Sequence, residues 1–175
     1  VVVDPPLIPS PTHPQFEFAQ GFEQRISAWA ADRRPDFDSP QQLEDILKKS
    51  GSRQAWLEGT HGAMARSVLR KSADGSGWTL ACPGPFEAQI YADNATLDLC
   101  PNLGGIKGPL MFACADPKLD NAWSPAIINR EIAPFHGHHY VAFPGTTHML
   151  QLEQPMQVWD SIQTFLVASG IRNTP

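Results

Sequence analysis

One histidine in this sequence stands where a proton can be moved during a reaction. The segment Phe143-Pro144-Gly145-Thr146-Thr147-His148-Met149-Leu150-Gln151-Leu152-Glu153-Gln154-Pro155 leads from an apolar stretch, through a Pro-Gly turn, to a proline. Gly145 permits the tight turn. Pro155 suits the first turn of a helix. His148 is thereby placed at the carboxyl end of a predicted strand, where ligands collect in open α/β sheets. An imidazole changes charge near neutrality, so it can take a proton from a nucleophile and return it.

The rest of the chain supplies the elements that must hold that histidine. Val1-Val2-Val3-Asp4 reads as a short strand buried on both faces, stopped by Pro5-Pro6. Residues 5–14 hold five prolines and form an irregular link. Apolar residues Ala19, Phe22, Ile26, Trp29 and Ala30 fall at helical spacing between Gln15 and Ala31. Ser39-Pro40-Gln41-Gln42 opens a second helix, with Ser39 as cap and Gln42 reaching back. A third helical stretch is expected over Arg53–Lys71, broken near Gly59 or Gly62, and a fourth over Phe86–Asn94. Asp74-Gly75-Ser76-Gly77 is a turn.

The pattern then changes. Leu110 to Ala115 is a continuous apolar strand. A helix opens at Ser124-Pro125, a strand covers His139–Phe143, and a last helix starts at Pro155. Strands alternating with helices imply a parallel sheet. The first crossover, roughly a hundred residues, exceeds what a βαβ link needs, so it is expected to be an inserted helical subdomain. Val1–Asp4 would be a bare apolar edge, which natural proteins avoid. The sequence therefore reads as starting in the middle of a fold. Another chain or a missing N-terminal segment is expected to cover that edge.

The His148 segment closely resembles the catalytic-histidine motif of α/β-hydrolase-fold enzymes, in which a last strand ends in Gly-x-x-His and Glu-x-Pro leads into the final helix. Gly145, His148, Glu153 and Pro155 match in order and spacing. Val-Val-Val-Asp-Pro-Pro looks like that family's sixth strand, and Pro109–Asp116 like its seventh. Trp78-Thr79-Leu80-Ala81-Cys82-Pro83 looks like the segment joining cap to core. The resemblance covers nearly the whole chain but only the family's C-terminal half. It implies an α/β fold, the C-terminal part of a parallel sheet, with residues 1–9 and 101–175 as core and 10–100 as a helical cap.

The resemblance also implies a serine nucleophile in a Gly-x-Ser-x-Gly elbow. No such motif occurs here. Gly75-Ser76-Gly77 is a turn with no strand before it. The nucleophile is therefore expected from a missing N-terminal segment or second chain. The acid is expected after the seventh strand or, as in some relatives, after the sixth. Asp116 and Asp4 are the respective candidates, with Asp120 behind; Lys118 falls where the commonest pattern puts the acid. Met149 and Trp123 are candidate pocket walls. The implied activity is hydrolysis of an ester, lactone, amide or similar small substrate, with no cofactor and no metal. Alternatives on the same scaffold are related chemistry such as C–C bond cleavage or acyl transfer, a receptor-like ligand-binding protein, and an inactive fragment.

Composition narrows the field further. With 42% apolar and 18% charged residues among 175, a core can form and disorder is disfavoured. A net charge of -5 with scattered basic residues argues against nucleic acid as a partner. No apolar run is long enough to span a membrane. Cys82, Cys100 and Cys114 lack metal-ligand spacing and read as reduced thiols, which suggests a cytoplasmic protein. His136-Gly137-His138-His139 has no carboxylate or cysteine placed with it and reads as a solvated loop rather than a metal site. His13 and His61 read as structural or exposed.

Overall fold

The computed structural model describes residues 1–97 and 100–171; the side chains of Cys100 and Pro101 lie outside the described residues, and with them the expectation for the Cys100 thiol. In chain order the first elements are β1 (Val2–Val3), α1 (Phe16–Ala31), β2 (Asp36–Phe37), α2 (Pro40–Lys49) and α3 (Thr60–Val68). They are followed by β3 (Leu69–Lys71), β4 (Trp78–Leu80), α4 (Gly84–Asn94), β5 (Met111–Cys114) and α5 (Ser124–Phe135). The last are β6 (His139–Ala142), α6 (Leu150–Glu153) and α7 (Pro155–Ala168).

The chain forms two compact units, Val1–Gln20 with Leu97–Pro175, and Gly21–Thr96. The divisions lie inside α1 and after α4, where the sequence placed them at 10 and 100. The first division shifts because Ala19 is fully buried with Ile8, Ile128 and Ile132, and Phe16 packs against that cluster.

The first unit holds a parallel sheet in the order β1-β5-β6. Val2 pairs with Phe112 and Val3 with Ala113; Met111 to Cys114 pair with His139 to Ala142. All four residues of β5 are buried, because it has a strand on each side and a layer on each face. Successive side chains of a strand point to opposite faces. Phe112 and Cys114 accordingly meet Ala133 of α5 on one face. Met111 and Ala113 meet Leu150 and Val158, from α6 and α7, on the other. β1 corrects one expectation: it is not buried on both faces. It lies at one end of the sheet order, and Val1 and Val3 are exposed.

The second unit departs from the helical reading. It contains an antiparallel sheet, order β2-β4-β3, with Phe37 against Trp78 and Leu69 against Leu80. The expected third helix stops at Val68, and its last three residues become β3. Leu69 is buried while Arg70 and Lys71 are exposed. The turn at Asp74 to Gly77 closes the hairpin, with Gly75 at φ 75°. The segment from Trp78 is likewise strand at its start. The α2 start follows the sequence: Ser39 Oγ accepts from Gln42 N at 3.3 Å, and the Gln42 side chain accepts from Asp38 N. Trp29, which shares the helical spacing of buried Ala19 and Ala30, is half-exposed, with Arg33 stacked over its ring at 5.1 Å. Among the described residues no helix is long and apolar enough to cross a membrane.

Candidate active site

The site begins where β1 ends. Asp4 has φ 40° and is the one non-glycine residue with positive φ among those described. That conformation disfavours most side chains, but Asp tolerates it better than most. Its backbone N donates to Ala113 O at 2.8 Å, so the turn is tied to β5. The carboxylate then points back over the ends of the strands. Oδ1 accepts from Ala115 N at 3.3 Å. Oδ2 lies 2.8 Å from Nδ1 of His148.

Asp4 is wholly buried, whereas the His148 side chain keeps 28% of its exposure. A buried carboxylate needs hydrogen-bond donors to replace water. Ala115 N–H and the His148 ring supply them. With Nδ1 engaged by Asp4, the protonated nitrogen in the neutral ring is Nδ1, and Nε2 is the basic one. The indole of Trp123 stacks on the imidazole, ring centroids 5.2 Å apart at an interplanar angle of 17°. The ring is thus held by a hydrogen bond at one edge and by an aromatic face.

The loop that carries His148 is fixed at several points. Gly145 has φ 74°, which favours glycine. The hydroxyl of buried Thr146 donates to Phe143 O at 2.8 Å. Thr147 N donates to Glu153 Oε2 at 2.8 Å, and the Thr147 hydroxyl donates to Glu153 Oε1. Gln154 Nε2 donates to Pro144 O at 3.1 Å. The glutamate and proline of the motif thereby acquire separate tasks. Glu153 anchors the residue before His148, and Pro155 starts α7.

Asp116 takes part in the same bracing. Its N donates to Thr146 O at 3.1 Å. Its Oδ2 accepts from Gly145 N and its Oδ1 from Lys118 N, each at 2.9 Å. These backbone hydrogen bonds, Gly145 first, hold its carboxyl below the usual carboxylate range. Both of its oxygens are engaged by backbone, and the carboxylate that accepts from His148 Nδ1 is that of Asp4. Asp120 and Lys118 are exposed. Met149 is half-buried at the start of α6, its sulfur 3.9 Å from Gln151 Nε2.

Sequence reasoning missed the roles of Glu153, Thr147 and Asp116 as anchors. For Glu153 the signal was its place in the motif, six residues after Thr147, and Asp116 stood out as a candidate acid rather than as an anchor. Cys114 is a buried strand thiol, pushed well above its usual range by burial and then by the Asp4 charge. Among the remaining histidines, His138 Nε2 pairs with Leu103 O at 3.0 Å and His13 faces Glu131 at 3.4 Å. His61 is buried, its Nε2 at 2.9 Å from Arg53 O and its ring stacked on Trp56. Among the described residues no group of three or more His, Cys, Asp or Glu is placed to hold a metal ion.

No protein-family model matches the chain, and no curated protein does. Solved structures do. The crystal structure of E-2-(acetamidomethylene)succinate hydrolase matches with a TM-score of 0.66 at 20% identity, over 84% of this chain and 52% of that one. A thioesterase domain from the curacin biosynthetic pathway matches with a TM-score of 0.55 at 12% identity, over 94% of this chain and 56% of that one. The chain thus spans about half the length of the structures it matches. At these identities the likeness establishes a shared fold: a parallel α/β sheet of the α/β-hydrolase kind.

Proposed function

We propose that this α/β-hydrolase-fold chain carries the base and the positioning acid of a serine-type hydrolase, with His148 as base and Asp4 as acid. The observation that carries the reading is the 2.8 Å contact between His148 Nδ1 and the buried Oδ2 of Asp4. It leaves Nε2 as the basic nitrogen, on a ring with access to solvent.

The serine comes from polypeptide outside these 175 residues. Three observations support this: the sequence has no Gly-x-Ser-x-Gly, the chain spans about half the length of its structural neighbours, and β1 presents apolar residues at an end of the sheet. His148 Nε2 takes the serine proton as Oγ attacks the carbonyl carbon of an ester, lactone or amide. It passes that proton to the departing alcohol or amine. It then takes a proton from water, whose oxygen attacks the acyl carbon, and passes that proton to the departing serine Oγ as the acid is released. Asp4 stays ionised and holds the ring. The neighbours' names, a hydrolase and a thioesterase domain, fit hydrolytic chemistry. Fold alone does not fix a reaction.

The test is labelling of the protein together with its nucleophile-bearing segment by a fluorophosphonate, read by peptide mass. A labelled serine outside this chain, with labelling lost in His148→Ala, is the expected result. Labelling of a serine within residues 1–175, or undiminished labelling in His148→Ala, sinks the reading.

A further inference from the structure

Asn129 lies in the middle of α5 and is wholly buried among Ala126, Ile128, Ile132 and Ala133, which face the core. A polar amide at such a position is costly unless both ends are satisfied. Only one end is. Nδ2 donates to Pro5 O at 2.9 Å, whereas Oδ1 has no hydrogen-bond partner among the described residues. An apolar residue would incur no such cost, so the donor half must return something.

What it holds is the carbonyl of the residue directly after Asp4. Pro5 O also accepts from Leu7 N at 2.9 Å, so this carbonyl closes the turn leaving β1. Asp4 itself is in the left-handed region at φ 40°. Such a conformation persists only where its surroundings over-determine it. Upstream, the tie is Asp4 N to Ala113 O; downstream, it is Asn129 to Pro5 O. The two ties bracket the strained residue and set the direction in which its carboxylate leaves the backbone. β5 and α5 thereby fix the aim of a side chain that neither element carries. Cys114 lies on the α5 face of the sheet, and its thiol interacts with both Asn129 and Asp4.

We infer that Asn129 is a positioning residue for the His148–Asp4 pair, acting through the Pro5 carbonyl to hold Asp4 in its left-handed turn. The inference rests on the reading of His148 as base for its functional meaning. Its test is made on the hydrogen bond itself, so the two can fail separately.

The readout is the downfield proton resonance of His148 Nδ1–H, assigned by its loss in His148→Ala and its shift in Asp4→Asn. Asn129→Leu keeps the volume and removes the donor. Asn129→Val also removes the donor, with a smaller apolar side chain. In both variants the resonance is expected to weaken several-fold or vanish while circular dichroism stays native. In assembled enzyme, kcat should fall with KM little changed. A wild-type resonance in either folded variant overturns the inference, whatever turnover does. If neither variant folds, the unmutated chain decides. One Asn129 side-chain amide proton should exchange slowly and show coupling to the Pro5 carbonyl carbon. Fast exchange with no coupling overturns the assignment.

Discussion

Glu153 grips Thr147 with both carboxylate oxygens, one on the backbone N–H and one on the hydroxyl, and Thr147 is the residue directly before His148. The histidine is therefore placed by its neighbour as much as by its own contacts. Glu153 is buried, so its two hydrogen bonds form with little competition from water. Removing one partner of such a pair leaves the other unsatisfied, which costs about 1–3 kcal/mol. Glu153→Ala should lower the free energy of unfolding by about that amount, read from the midpoint of urea denaturation. A midpoint unchanged from wild type would show that the anchor is not needed.

Asp4 and Asp116 are expected to separate cleanly by substitution. Asp4→Asn keeps the shape but removes the charge and favours the wrong tautomer of His148. By analogy with a triad acid this lowers kcat by about 10⁴-fold. Asp116→Asn touches only backbone donors and should cost well under tenfold. Steady-state turnover of an activated ester by the assembled enzyme measures both. Equal losses in the two variants would remove Asp4 from its assigned role.

Trp123 supports the His148 ring through stacking worth about 0.5–1.5 kcal/mol. Trp123→Ala should therefore reduce kcat/KM by roughly two- to tenfold through loss of ring order. Trp123→Phe should restore most of the loss, because a smaller aromatic face can still lie on the imidazole. Failure of Phe to do better than Ala would assign the effect to the indole N–H or to bulk.

Asp116 also makes a prediction about acid. Its carboxyl is held below the ordinary range in the folded protein, by Gly145 N–H first and Lys118 N–H second. The unfolded chain then binds a proton more readily than the folded one. The stabilisation is complete above the unfolded value of about 4 and is lost as pH falls through the lower folded value. Asp116→Asn should flatten the decline of stability with falling pH below about 4, measured as unfolding midpoint against pH. An unchanged slope would show that these hydrogen bonds do not favour the carboxylate.

Thiol chemistry should distinguish the two described cysteines. Cys114 is buried on β5 and its thiol is pushed up, so it is poorly nucleophilic. Cys82 is partly exposed. Under native conditions a maleimide should modify Cys82, and Cys114 only after denaturant is added, as read by peptide mass. Early modification of Cys114 would mean that the sheet opens readily on the α5 side.

Much of this was legible in local patterns. The β5 run from Met111 to Cys114, the Ser39-Pro40 helix start and the Gly145-to-Pro155 motif are each specified within about a dozen neighbouring residues. Their causes are short-range: side-chain periodicity, a cap, a glycine at positive φ, a proline at a first turn. The hairpin of β3 and β4 was harder to see. Helical spacing of Met64 and Val68 runs straight into Leu69, and pairing with β4 across the turn overrides it. Trp29 shares the helical spacing of Ala19 and Ala30 yet lies half-exposed, for a related reason. Spacing alone does not say where α1 runs out of neighbours, and Arg33 covers the ring instead.

The sequence by itself determined that a histidine would be presented at a strand end, because a turn and a helix start encode that within one segment. It left Asp4 and Asp116 equal as partners. Only the tertiary structure decided between them as the group that meets His148. The contact joins residues 144 apart in the chain, and it exists because β1 and β6 flank the same central strand. Asp116, close in space to the same loop, spends both oxygens on backbone N–H groups. Parallel pairing brings strand ends together regardless of sequence distance, and no local pattern carries that information.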